Sequence, residues 1–187
     1  MNNRLIDIFT YDEKEIRKII FQNALKMLFN REEISKEDYN KYNEKVEKER
    51  KYYYKLGNFL LKYFESETTK KDEHYNDLIK NDIKKILIVQ NKNIINKFIN
   101  YPNTEIFTKD DMMIDLISNI LQPKYIKLTD EEKKTFYEDF NVLNSQIPIL
   151  LYTDKVRKYF NYNIGDIIKI IRNNPINGVS ISYRIVK

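Results

Sequence analysis

Few side chains in this chain can do chemistry. Two that can are Arg172 and Arg184, one on each side of an Asn/Pro/Gly cluster. A guanidinium is a planar fork of donors suited to bidentate contact with carboxylate or phosphate. Two of them on neighbouring arms of a turn would face an acidic partner. Pairing inside the chain, with Asp154 or Asp166, is the competing reading. The tripeptides Asp82-Ile-Lys84 and Glu131-Glu-Lys133 have a spacing with which carboxylate and lysine can hold Mg²⁺ and activate water. In a chain that is 33% charged, such tripeptides arise by chance. Glu131 is also accounted for by a helix start. The one histidine, His74, lies in a polar run and reads as a surface residue, since a site needs more than one imidazole. There are no cysteines, which removes thiol nucleophiles, disulfides and cysteine-ligated zinc, and fits a reducing compartment. A phosphate-binding glycine loop and a Gly-x-Ser-x-Gly elbow are both missing. The expectation is a chain with no catalysis of its own, no metal and no cofactor.

Charge placement points the same way. The net charge is +5, but Lys155 to Lys187 carries seven basic residues (155, 157, 158, 169, 172, 184, 187) against Asp166, a local +6. The preceding residues therefore sum to −1. A basic C-terminal stretch implies an acidic partner, protein or phosphate. The plainer reading is that lysines keep an isoleucine-rich domain soluble. No apolar run approaches the ~20 residues needed to cross a membrane, and Met1 to Asp7 is not expected to be a signal peptide.

The elements that position these residues follow from periodicity. Ile16, Ile19, Ile20, Ala24, Met27 and Leu28 share one face of a helix over 12–29, with Asp12, Glu13 and Glu15 in its first turn. Ser35 caps a second, charged and tyrosine-rich helix running to Lys55. Leu56 to Phe64 is apolar but too short for its period to separate helix from strand, and 65–77 reads as a loop. Ile86 to Val89 is a strand buried on both faces. Asn91 to Ile99 is helical, Thr104 to Phe107 is a strand, and Asp110 to Ile117 is a short helix leading into a strand, or a strand alone. Such a βαβ-like unit favours parallel pairing.

Beyond a boundary near 119–123, Thr129-Asp-Glu-Glu132 is a capping box opening a helix to about Phe140. Thr153 and Asp154 cap a short helix carrying Val156, Tyr159 and Phe160. Gly165 then turns the chain into a hairpin. Its first arm runs from Asp166 to Arg172. Its second alternates Val179, Ile181, Tyr183 and Ile185 with Ser180, Ser182, Arg184 and Val186.

The ordered series from Pro123 to Lys134, through Gln146-Ile-Pro148 and Thr153 to Phe160, into the hairpin, resembles the small assembly subunit of multi-subunit RNA polymerases. This is the fifth subunit shared by the eukaryotic nuclear enzymes, together with its archaeal counterpart. The likeness is clear over 83–187 and loose before that. It implies an α+β chain with two domains. Residues 1–118 would be an α/β, endonuclease-like jaw domain. Residues 119–187 would be a small α+β assembly domain with a mixed sheet and a terminal hairpin. It implies a non-catalytic structural subunit of a DNA-directed RNA polymerase that docks on the largest subunit and forms part of the jaw around downstream double-stranded DNA. Other polymerase subunits would be further partners, and no membrane. The alternative is a free-standing nucleic-acid-binding regulator that shares the C-terminal domain.

The positions that match the family pattern are Pro123, Pro148, Asp154, Tyr159, Gly165, Arg172, Gly178, Tyr183 and Arg184, which the resemblance assigns to the polymerase interface. Lys92 and Lys97 are the jaw's candidates for DNA. The chain departs from the pattern at Asn119 and Tyr125, where the family has histidines. It departs at Lys155, where the family has proline, and across Asn174-Pro-Ile-Asn-Gly178 and Lys92-Asn-Ile-Ile95. With the Lys/Asn/Ile/Tyr-rich composition, these departures imply a copy from a large DNA virus or a divergent protist, the virus being the favoured source. Its place would be the cytoplasm, in a virion or viral factory, or the nucleus for a cellular copy.

Overall fold

The computed structural model describes residues 11–49, 51–64, 83–98, 100–119, 121–174 and 178–187. The expected loop at 65–77, His74 and Asp82 lie outside them. The chain forms two compact units, the first ending at Ile114 and the second beginning at Asp115.

In the first unit, the Asp12 carboxylate accepts from the Glu15 N–H at 2.7 Å and opens helix α1, Glu13–Asn30. The helix buries a wider arc than the six apolar positions picked from the sequence. Phe21 and Leu25 are fully enclosed, while Ile19 is only half-buried. Helix α2, Lys36–Glu49, starts at Ser35, whose hydroxyl accepts from the Asp38 N–H, and it buries only Val46. It does not run to Lys55. Tyr53–Leu56 is strand β1, which turns through Gly57 (φ +52°) into β2, Phe59–Phe64. Tyrosines suit a half-buried strand better than an exposed helix. Tyr54 is drawn inward, edge-on to Phe21 at 4.9 Å between centroids. The undecided apolar run over 56–64 is thus the second arm of a hairpin.

Strand β2 pairs in parallel with β3, Lys84–Val89, which pairs in parallel with β4, Thr104–Thr108; β1 lies antiparallel outside β2. As expected for central parallel strands, Leu60 to Phe64 and Lys85 to Val89 are buried on both faces. The β3–β4 crossover is helical but tighter and shorter than expected, a 3₁₀ helix over Lys92–Lys97. It delivers Phe98 against Phe64 at 4.7 Å between centroids. Thr108 then forms a capping box with Asp111 at the start of α3, Lys109–Met113. Of the two expectations for 110–117 the helix is present, and 114–117 form no strand. Arg31, after α1, makes a bidentate contact with Glu105 of β4 at 3.0 and 2.9 Å. Lys84 of β3 bridges Glu33 at 2.6 Å and Glu105 at 3.3 Å. This ion cluster ties the end of α1 to the sheet.

The second unit holds β5, Lys124–Lys127, then helix α4, Asp130–Phe140, opened by the Thr129–Glu132 capping box. A two-residue strand β6, Ile149–Leu150, follows, then helix α5, Lys155–Phe160, capped by Asp154. The hairpin comes last: β7, Ile167–Asn174, and β8, Gly178–Val186. The sheet order is β5-β7-β8-β6. Strand β6 runs parallel to β8 and the other pairs are antiparallel, so the sheet is mixed.

Both faces of this sheet are covered at its base. Ile167 and Ile185 pack with Leu128, Phe136 and Ile147, the α4 side. Ile168, Ile170 and Val186 pack with Leu150 and Tyr162, against Tyr125 and Phe160, the α5 side. Hence β7 reads as a nearly unbroken isoleucine run while β8 alternates.

Candidate functional site

The register places Arg172 and Arg184 on one face. Arg184 is opposite Ile168, Arg172 opposite Ser180, and Ile170 opposite both Ser182 and Tyr125. Side chains at every second position share a face, so Arg172, Arg184, Ser180, Ser182 and Tyr125 all lie on the α5 side of the sheet. Arg172 is exposed and Arg184 half-buried. Neither makes a hydrogen bond or ion pair with another described residue. The two acids that could have braced them are engaged elsewhere. The Asp154 carboxylate accepts from the Val156 N–H at 2.7 Å as the cap of α5. Asp166 is buried, 2.9 Å from the Lys127 Nζ and 3.6 Å from that of Lys133, and accepts from the Asn163 N–H at 2.8 Å. Burial works to raise its pKa, but the Lys127 hydrogen bond, the Asn163 N–H and the two lysine charges outweigh it and hold the carboxyl below its ordinary value. The reading that pairs the arginines with Asp154 or Asp166 is therefore overturned.

Tyr125, on β5 beside β7 and on the arginines' face, is the feature that the sequence did not mark as a site residue. Burial, then the Asp154 charge, raises its pKa, while Arg172 and Arg184 both act against that rise. All four groups thus share one electrostatic neighbourhood. Its ring lies 6.4 Å from Phe160, which stacks on Tyr162 at 5.3 Å. The signal that could have found Tyr125 is its register with Ile170, invisible before β5 is known to pair with β7.

The other candidate positions divide by role. Pro148 offers its carbonyl to the Ile185 N–H at 2.9 Å and sets the entry of β6. Gly165, at φ +87°, donates its N–H to the Val186 carbonyl at 3.0 Å and closes the turn into β7. Gly178, at φ +76°, opens β8. Pro123 directly precedes β5. Tyr159 sits on α5 against Phe160. Tyr183 is on the opposite face, 4.7 Å from Phe136 and 5.6 Å from Phe140 between centroids, so it does not join the arginines. Lys92 is exposed on the 3₁₀ helix that also contains Lys97.

Of the two candidate tripeptides, the first has its carboxylate, Asp82, outside the described residues, and Lys84, Glu132 and Lys133 are engaged in ion pairs or a cap. Lys84 is held by Glu33 and Glu105, Lys133 by Asp166 and Asp130, and Glu132 by the α4 cap. Among the described residues, no group of three His, Cys, Asp or Glu side chains is arranged for a metal.

Residues 114–186 match the family described as RNA polymerase Rpb5, C-terminal domain. The chain is 37% identical over 76 residues to the DNA-directed RNA polymerase subunit Rpo5 of Methanosphaera stadtmanae, covering 41% of this chain and 99% of that relative. The chain belongs to the Rpb5 family of RNA polymerase subunits. It is also similar to DNA-directed RNA polymerase subunit 5 of Acanthamoeba polyphaga mimivirus, 30% over 104 residues, covering 55% of this chain and 51% of the viral one. With RPABC1, a subunit of RNA polymerases I, II and III in Caenorhabditis elegans, it shares 32% over 82 residues, 44% of this chain and 39% of the nematode one. The chain thus spans nearly all of the archaeal Rpb5 relative and about half or less of the viral and nematode ones. The part recognised as Rpb5-like is the unit that carries the arginine face. Among the described residues, no helix is long and apolar enough to cross a membrane.

Proposed function

We propose that this protein is a non-catalytic structural subunit of a multi-subunit DNA-directed RNA polymerase. Its second unit docks on the largest subunit, and its first unit forms part of the jaw around downstream DNA. The observation that carries the reading is the match to a whole archaeal polymerase subunit over the unit whose arginine face has no internal partner. The docking residues are those of the interface set, with Arg172 and Arg184 as the charged contacts and Tyr125 on the same face beside them. Pro148, Gly165 and Gly178 act through backbone shape. Lys92 and Lys97 are the jaw's contacts to DNA phosphate, where binding outside the complex is weak and steeply salt-dependent.

The test is recovery of the affinity-tagged chain from its native source. Two very large polymerase chains should come down in stoichiometric amount. Recovery of the chain alone, bound to specific DNA at physiological salt, would replace the subunit with a free-standing regulator.

A further inference from the structure

Strand β8 has an outer edge that its own sheet leaves open. Residues with even numbers bond inward to β7, as the Val186 N–H does to the Asp166 carbonyl at 2.9 Å. Odd-numbered residues bond outward: the Ile185 N–H reaches the Pro148 carbonyl at 2.9 Å and the Lys187 N–H the Leu150 carbonyl at 3.1 Å. Strand β6 covers only Ile185 and Val186. By the alternation of an antiparallel ladder, Val179, Ile181 and Tyr183 each turn an N–H and a C=O outward. Among the described residues those groups have no partner. The edge from Gly178 to Arg184 is about 23 Å long at the usual rise per residue. It carries no proline or lysine to discourage pairing, the devices by which open edges are commonly protected.

The two faces beside this edge differ in chemistry. Toward α4 the edge itself is apolar: Val179 is 65% exposed, Ile181 52% and Phe140 55%, with Tyr183 next to them and Lys169 one strand further in opposite Tyr183. Toward α5 they are polar and basic: Ser180, Ser182, Arg184 and, one strand further in, Arg172 opposite Ser180. A strand laid along the edge would set alternate side chains against these two faces. The complement is a segment with apolar residues at every second position and carboxylates between them.

We propose that the open edge of β8 captures an extended segment of another polymerase subunit, of alternating apolar and acidic sequence, as a fifth strand of the sheet. Main-chain bonds to Val179, Ile181 and Tyr183 hold it, and its carboxylates meet Arg184 first and Arg172 beyond. This rests on the subunit reading above and specifies the form of the contact.

Hydrogen exchange on the full-length chain, free and in purified polymerase, tests it. The amides of Val179, Ile181 and Tyr183 should slow by about tenfold or more on assembly, the signature of a newly bonded edge. Ile181→Pro removes the middle outward N–H and no bond within the sheet. It should abolish co-purification, whereas Ile181→Val should retain it. Assembly of the parent chain with these amides still exchanging fast overturns the added strand and leaves the subunit reading standing. Assembly of Ile181→Pro at the parent's level does the same. Should that variant melt early on its own, the exchange of the parent's amides decides. Concentration-dependent dimerisation of the free chain that protects the same amides assigns the edge to a second copy and overturns the proposal. Failure of the parent chain to recover any polymerase removes both readings.

Discussion

The two units use arginine in opposite ways. In the first, the Arg31 side chain is only 2% exposed and locked in a bidentate contact with Glu105, inside a cluster that Lys84 and Glu33 complete. In the second, Arg172 and Arg184 stand on one sheet face with no ion pair to a described acid, while Asp166 is held by Lys127 and Lys133. A buried charge demands a partner because desolvation is costly. One that has found its partner internally is a brace, and one that has not is available to something else. Sequence alone does not separate the two kinds, since Arg31 lies 74 residues from Glu105.

The contrast can be broken most forcefully at the brace. Arg31→Ala should strip Glu105 of its bidentate partner, leaving Lys84 alone to face it, and destabilise the first unit by up to about 3–5 kcal/mol, the usual cost of removing one partner of a buried pair. Denaturant unfolding would show it, and an unchanged midpoint would make Arg31 no brace. Arg184→Ala should do the reverse. The melting temperature of the free chain should hardly move, while assembly into polymerase weakens by about 2–5 kcal/mol from the charge left unpaired across the interface. Arg172→Ala should act likewise, and Lys155→Ala, at an exposed position, should do little. Early melting of Arg184→Ala in isolation would turn it into a second brace. Thr129→Ala removes the α4 cap and should cost about 1 kcal/mol in the second unit alone. Comparable loss in the first unit would mean that the two do not unfold independently.

The effect most diagnostic of sign is that of Asp166, and it is read in acid. Its folded pKa lies below the ordinary 3.8. The stability it contributes is therefore complete above that value and is lost as pH falls through the lower folded value. Acid titration of the second unit should show this loss, and Asp166→Asn should flatten it. An unchanged slope in that variant would assign the acid sensitivity to other carboxylates.

Much of the second unit was legible beforehand. The hairpin, the Thr129 box and the Asp154 cap are local, written in turn residues and short-range spacing. Missing were β5 and β6, which are short and take their identity only from strands forty or so residues away. Tyr125 was missed with β5. In the first unit the tyrosine-rich run after Glu49 has charge enough for a helix, and only the burial of Tyr54 against Phe21 decides for a strand. The ion cluster joins residues from three segments, and no local pattern announces it.

The order of strands has a consequence for synthesis. Strand β5 pairs only with β7, and β6 only with β8, so each waits for an element made after it. No pair in that sheet can close before the ribosome has reached β7, and the sheet is incomplete until Val186 has been added. The first unit has all its described strands by Thr108 and can fold while the rest is being translated. For that interval a folded head trails an unfolded, isoleucine-rich tail, and chaperone demand should concentrate there.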